Sequence, residues 1–104
     1  VNTPTPSLMS TGGEATIVRA SASTPPDQLA GSLHRFLQDG RQVVIHAIGH
    51  GAVGQAAKAL PILNTRVINS GVIYLVLFSL IDVMENSKKL TVTRFRLIPH
   101  KIGG

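Results

Sequence analysis

Two groups of residues in this chain have the types and spacing to do chemistry. The first is Gly49-His50-Gly51-Ala52-Val53-Gly54, which follows an apolar run and fits G-x-G-x-x-G. Such a loop leads from a strand into a helix and aims successive backbone N–H groups at a phosphate. The second is the set Lys88, Lys89, Arg94 and Arg96 near the C-terminus. Each phosphate neutralised by groups like these releases counterions, so what they offer is salt-dependent binding of a polyanion. Lys58, two helical turns past the glycine loop, is a further candidate because of that nearness. Each group has a plainer reading. A dinucleotide site needs a larger parallel sheet and an acid about 20 residues on, whereas the first acid after the motif is Asp82. Gly49 and Gly51 are thus either backbone contacts to a nucleic-acid phosphate or a structural turn. Arg94 and Arg96 would equally serve as a solvated strand face that guards an edge. Lys88 and Lys89 are the better placed to bind.

Other chemistries are poorly supplied. There is no cysteine, hence no disulfide, thiolate ligand or cysteine nucleophile. His34, His46, His50 and His100 are dispersed without metal-ligand spacing. His46 sits inside an apolar run, which suggests a hydrogen-bonded structural histidine. Five acids yield neither a paired-carboxylate site nor a nucleophile triad. No catalytic residue, no metal and no cofactor is expected. Aromatic residues make up 4% of the chain, too few for a base-stacking platform of the single-strand-binding type.

The elements that must position these groups can be read in order. With 104 residues, 43% of them apolar, the chain suits one domain with one core. Its longest apolar stretch, Val72 to Val83, falls short of the roughly 18 residues that suggest a membrane span. Residues 1–13, rich in Pro, Ser, Thr and Gly, read as a flexible tail, with the folded domain spanning 14–104. The β-branched segment Ala15 to Ala20 predicts a strand. Thr24-Pro25-Pro26-Asp27 signals a helix start, with Thr24 as capping hydroxyl, and Leu29, Leu33, Phe36 and Leu37 define its buried face. Asp39-Gly40 ends it. Gln42 to Ile48 is a second strand. A second helix should start near Ala52, with Ala52, Ala56, Ala59, Leu60 and Leu63 inward, and kink or break at Pro61. Val72 to Leu80 reads as a strand covered on both faces, burying Tyr74 and Phe78. Leu90 to Ile98 pairs with it in a hairpin turning at Asn86-Ser87 and tipped by Lys88 and Lys89. In that last strand Thr93, Phe95 and Leu97 alternate with Arg94 and Arg96, one face buried and one cationic. The order is β-α-β-α-β-β, an α+β domain with two helices on one face of a four-stranded mixed sheet.

Charge follows this layout. Ten Lys/Arg against five Asp/Glu give a net +5, and after Gly51 the count is seven cations to two acids. A positive field of this kind concentrates polyanions. The chain starts at Val1 without a signal peptide, which suits an intracellular protein of a bacterial cytoplasm or nucleoid, or an organelle matrix after loss of a targeting segment.

Ser21-Ala22, Pro26, Leu29-Ala30-Gly31, Leu33, Ala47-Ile48-Gly49-His50-Gly51-Ala52, Gln55-Ala56, Lys58-Ala59, Ser70-Gly71-Val72, Asp82 and Pro99 resemble the bacterial stage V sporulation protein S family, from about Ile17 to His100. That family is similar to the Alba superfamily, which implies an Alba-like two-layer fold, pairing as a homodimer, and binding of DNA or RNA. The implied binding regions are the loop Ser21 to Thr24, the loop Gly49 to Gly51 and the hairpin arm around Lys88 and Lys89. This chain departs from relatives at two cations, carrying Ser23 where they place lysine and His50 where Alba proteins place arginine. Pro61 departs as well. Two functions follow as expectations: a dimeric nucleic-acid-binding domain, regulatory or architectural, using His50, Lys58, Lys88, Lys89, Arg94 and Arg96; or a subunit of a larger assembly such as a ribonucleoprotein, keeping the fold without binding nucleic acid by itself.

Overall fold

β-branched residues favour extended backbone, and Thr16–Ala20 forms strand β1 of the computed structural model, which describes residues 15–102. The expected tail, residues 1–13, lies outside the described residues. Helix α1 (Pro26–Gln38) follows, with proline at its first position and Asp27 near the positive end of its dipole. Thr24 is not its cap: Pro25 holds that position without a side-chain bond. Thr24 Oγ1 instead accepts from the Ser21 N–H at 2.9 Å, closing the turn that leads into the helix. Leu29, Ala30 and Leu33 are buried, and Phe36 and Leu37 pack against the same core.

Strand β2 (Val43–Ala47) leads into α2 (His50–Val67), which starts two residues before the predicted position. Ala52, Ala56, Ala59, Leu60 and Leu63 face inward as their spacing predicts. The helix neither breaks nor stops at Pro61. Pro61 and Ala57, whose carbonyl loses its partner, lie on the exposed side. Water can take that carbonyl and the ring projects into solvent, which is how one interior proline is tolerated. A short 3-10 turn (Ile68–Ser70) and Gly71, at φ 82°, reverse the chain into β3 (Val72–Glu85), and Asn86-Ser87 turns it into β4 (Lys88–Lys101).

The sheet order is β1-β2-β4-β3, with β1 and β2 parallel and the other pairs antiparallel. Both helices share the core with Val43, Ile45, Ala47, Phe95 and Leu97 from one sheet face, the two-layer α+β arrangement read from the element order. The other face is open.

The strand expected to be covered on both faces is the outer edge of this sheet. Leu75 is 47% exposed, Leu77 53%, Phe78 61% and Leu80 71%. Tyr74 and Val76 reach the core only in part, and Phe78 meets the buried Phe95 ring edge-on at 5.1 Å between centroids. A solid apolar run marks a strand whose surfaces need cover, without specifying that the same chain supplies it. Near the start of β3, the Tyr74 N–H donates to Asn64 Oδ1 at 2.8 Å and Asn64 Nδ2 donates to the Tyr74 carbonyl at 3.1 Å. One α2 side chain thereby caps the free edge at that residue. By the two-residue period of an antiparallel strand, the next main-chain groups facing outward belong to Val76, Phe78 and Leu80.

Candidate functional site

The two loops named in the sequence come together at one end of the sheet. Gly49 has φ 90°, a left-handed conformation suited to glycine, and caps α2 without a side-chain bond or an acid in the first turn. Gly51 lies against Ala22: a Cβ there would be 2.6 Å from the Ala22 Cβ. Gln55 Nε2 donates to the Thr24 carbonyl at 2.9 Å, fastening the first loop to α2. Gly54 has open space around it, so only the first two glycines of the motif are required by geometry. His50 is the first residue of α2 and is exposed. The Ser21 hydroxyl stands 3.1 Å from the Ser23 hydroxyl and 3.0 Å from that of Thr24. This hydroxyl-lined turn, beside helix N–H groups without intrahelical partners, can bond phosphate oxygens.

The hairpin arm reaches past the same end. β2 pairs with β4 only over Val44–Ala47 against Thr93–Arg96, so Lys88 to Val92 pair with β3 alone. Both turn residues, Asn86 at φ 53° and Ser87 at φ 64°, are left-handed, as tight hairpin turns demand. Lys88 stands opposite Glu85, and Lys89 Nζ is 3.9 Å from Asp82 Oδ2, which makes it the only ion pair among the described residues. Both partners are well exposed, so the pair contributes at most about 1 kcal/mol and opens readily. The two tip lysines are nevertheless matched by two acids, and the excess positive charge lies elsewhere.

It lies on the open sheet face. Strand register places Arg19, His46, Arg94 and Ser79 side by side across all four strands. The adjacent row is Ile17, Val44, Arg96 and Leu77. Arg94 and Arg96 are half-buried here, in mid-sheet and away from the tip. Burial, then the positive charges of Arg94 and Arg19, hold the His46 pKa below its ordinary value. The predicted hydrogen-bonded core histidine is thus a ring between two guanidinium groups. Arg19 is the member that sequence reasoning missed. Its signal was the alternation Ile17-Val18-Arg19, which puts Arg19 opposite the core-facing Val18. Lys58 is exposed on α2, about 10 Å along the helix axis from Gly51 and in the layer opposite Arg94 and Arg96. The six candidate side chains therefore do not form one cluster.

Among the described residues no three His, Cys, Asp or Glu gather as metal ligands, and no helix is long and apolar enough to cross a membrane. Comparison with known proteins agrees with this fold. The family model described as Stage V sporulation protein S (SpoVS) matches residues 16–100. Among solved structures, Alba from Thermoplasma volcanium is similar with a TM-score of 0.55 at 11% identity, covering 83% of this chain and 100% of that one. At that identity the likeness is one of fold.

Proposed function

The chain belongs to the stage V sporulation protein S family and has an Alba-like fold, and from that premise we propose that it is a dimeric domain that binds the phosphate backbone of DNA or RNA with little sequence readout. The observation that carries this reading is the convergence at one sheet end of the Ser21–Thr24 loop, the Gly49–Gly51 loop and the projecting arm. Backbone N–H groups and hydroxyls supply phosphate contacts there, Lys89 can exchange Asp82 for a phosphate, and Lys88 offers a second cation beside it. The wider field comes from Arg19, Arg94 and Arg96. Dimerisation is supported by β3, whose exposed apolar side chains and free edge suit a second copy of the same strand. Its sequence from Val72 to Ile81 carries no charge to oppose self-pairing. No catalytic step belongs to this function.

The test is binding of duplex DNA, duplex RNA and single strands at two salt concentrations. Affinity should fall as salt rises, with a slope of about 0.7 to 0.9 per phosphate neutralised. The double variant Lys88→Ala, Lys89→Ala should flatten that slope by less than two contacts, since Lys89 first gives up Asp82. Absence of binding at low salt overturns the proposal. One observation favours a second reading, a subunit of a larger assembly: tip lysines are matched by acids in a chain with Ser23 and His50 where relatives carry cations. Aggregation of the isolated chain, relieved only by a co-expressed partner, would favour that reading; a clean homodimer would oppose it.

A further inference from the structure

The sheet face turned away from the helices has the makings of a packing surface. Strand register turns Ile81, Leu77 and Leu75 of β3 to this side, with Arg94, Arg96 and Ile98 of β4 beside them. Val44 and Val92 are 3% and 2% exposed yet stand outside the core that the helices cover, so this side has a thin apolar floor of its own. Leu75, Leu77 and Ile98 are exposed above it. An apolar stripe on β3 thus runs beside the cations of β4, for about 20 Å between Leu75 and Ile81. Neither Arg94 nor Arg96 has a carboxylate within ion-pair distance among the described residues. Toward the arm the face becomes a groove, lined by Val92, with Ile17 and Arg19 contributed by β1 and Val83 and Glu85 by the arm.

We propose that this face docks an acidic amphipathic helix of a partner protein, its apolar side on Ile81, Leu77, Leu75 and Ile98 and its carboxylates on Arg94 and Arg96. Charge complementarity selects the acid: two half-buried arginines stand in mid-sheet without a counter-charge among the described residues, and Arg19 continues the row beyond His46. The main chain selects the helix. Strand β4 is paired on both edges from Thr93 to Arg96, so an extended peptide finds no backbone partners there, whereas a helix satisfies its own. Other occupants fit this face less well. Nucleic-acid phosphates offer nothing to the leucines, and Tyr74, Phe78 and Phe95, which could stack on bases, turn to the helix side. A second copy laid face to face would set arginine against arginine. A planar lipid surface is held off by the arm wall of the groove. The site is independent of the backbone-binding reading, since it uses neither the glycine loops nor the tip lysines.

The probe is a fluorescein-labelled synthetic helix of about 14 residues, enough to span the stripe at about 1.5 Å per residue, with leucine on one face and glutamate along its flank. Titrated with the full chain and followed by fluorescence anisotropy, it should bind at least tenfold more tightly than either of two control peptides. One control carries lysine for glutamate, the other alanine for leucine. Leu77→Thr, at an exposed position, should weaken the acidic peptide by about fivefold or more, and so should Arg96→Gln. Arg96→Glu should weaken it further and improve binding of the lysine peptide, with circular dichroism confirming the fold of each variant. The Lys88→Ala, Lys89→Ala variant should stay within twofold of the parent toward the peptide, while its effect on duplex DNA reports on the backbone reading separately. The proposal is overturned if the acidic peptide does not bind, if the alanine control binds as tightly, or if Leu77→Thr and Arg96→Gln both leave its affinity unchanged. Phosphatidylglycerol vesicles titrated in parallel should not bind; vesicle binding that Leu77→Thr and Arg96→Gln weaken, without peptide binding, assigns the face to lipid instead.

Discussion

Leu80→Lys is the sharpest perturbation of the edge strand. Leu80 is 71% exposed in the single chain, so most of its apolar surface is still available to a partner. Full burial of a leucine side chain is worth about 1.5–3 kcal/mol, which leaves about 1–2 kcal/mol to be gained when a second copy covers it. A two-fold interface uses every residue twice, so the substitution removes about 2–4 kcal/mol from the dimer, or about 30- to 700-fold in its dissociation constant. The single chain should barely notice, because lysine on an exposed edge is a common device against unwanted pairing. Sedimentation equilibrium over a concentration series measures the effect directly, with circular dichroism to confirm the fold. Two results would refute the reasoning: a parent chain that stays monomeric across the series, or a variant whose dimer constant lies within threefold of the parent.

Other perturbations test separate parts of the structure. Gly51→Ala forces a Cβ to 2.6 Å from the Ala22 Cβ and should cost about 1–3 kcal/mol, whereas Gly54→Ala, in open space within α2, should stabilise by about 0.5–1 kcal/mol. Thermal midpoints should move in opposite directions, by about 4–8 °C per kcal/mol. Asn64→Ala leaves both main-chain groups of Tyr74 without their α2 partner and should cost about 1–3 kcal/mol in chemical denaturation. His46 should titrate below 6.5 by NMR, and Arg94→Ala should raise its pKa. Since the unfolded chain takes this proton first, the contribution of His46 to stability is full above about pH 6.5 and is lost as pH falls through the folded value. A denaturation series across that range should show less loss in His46→Gln.

The order of elements, the inner face of both helices and the hairpin turn at Asn86-Ser87 could all be read from the residues, because each rests on local spacing and turn chemistry. The placement of β3 could not. A run such as Val72 to Leu80 has no polar residue to mark which face meets water, and its neighbours in the sheet are decided by β4, distant in sequence from β2. Pro61 misled for a different reason: a proline ends a helix only where the lost hydrogen bond is buried, and here it faces solvent. Thr24 has the right chemistry for a cap, but Ser21 lies close enough to claim it. In the candidate site, the two loops were legible because their glycines are strained or crowded. The row from Arg19 to Arg94 was not, since it exists only once register aligns residues from separate strands.

The two-residue turn at the end of β3 also sets a length. Glu85, the last residue before that turn, lies seven residues beyond Phe78, the middle of the free edge, or about 23 Å along the strand. Two copies paired antiparallel through that edge would point their arms in opposite directions, with the tips about 46 Å apart. On duplex DNA this is about 14 base pairs, somewhat more than one helical turn. Such an assembly would act as a caliper. A duplex shorter than its span could engage only one arm at a time, and the affinity gained from joining two arms would appear only once the strand is long enough to be gripped at both ends.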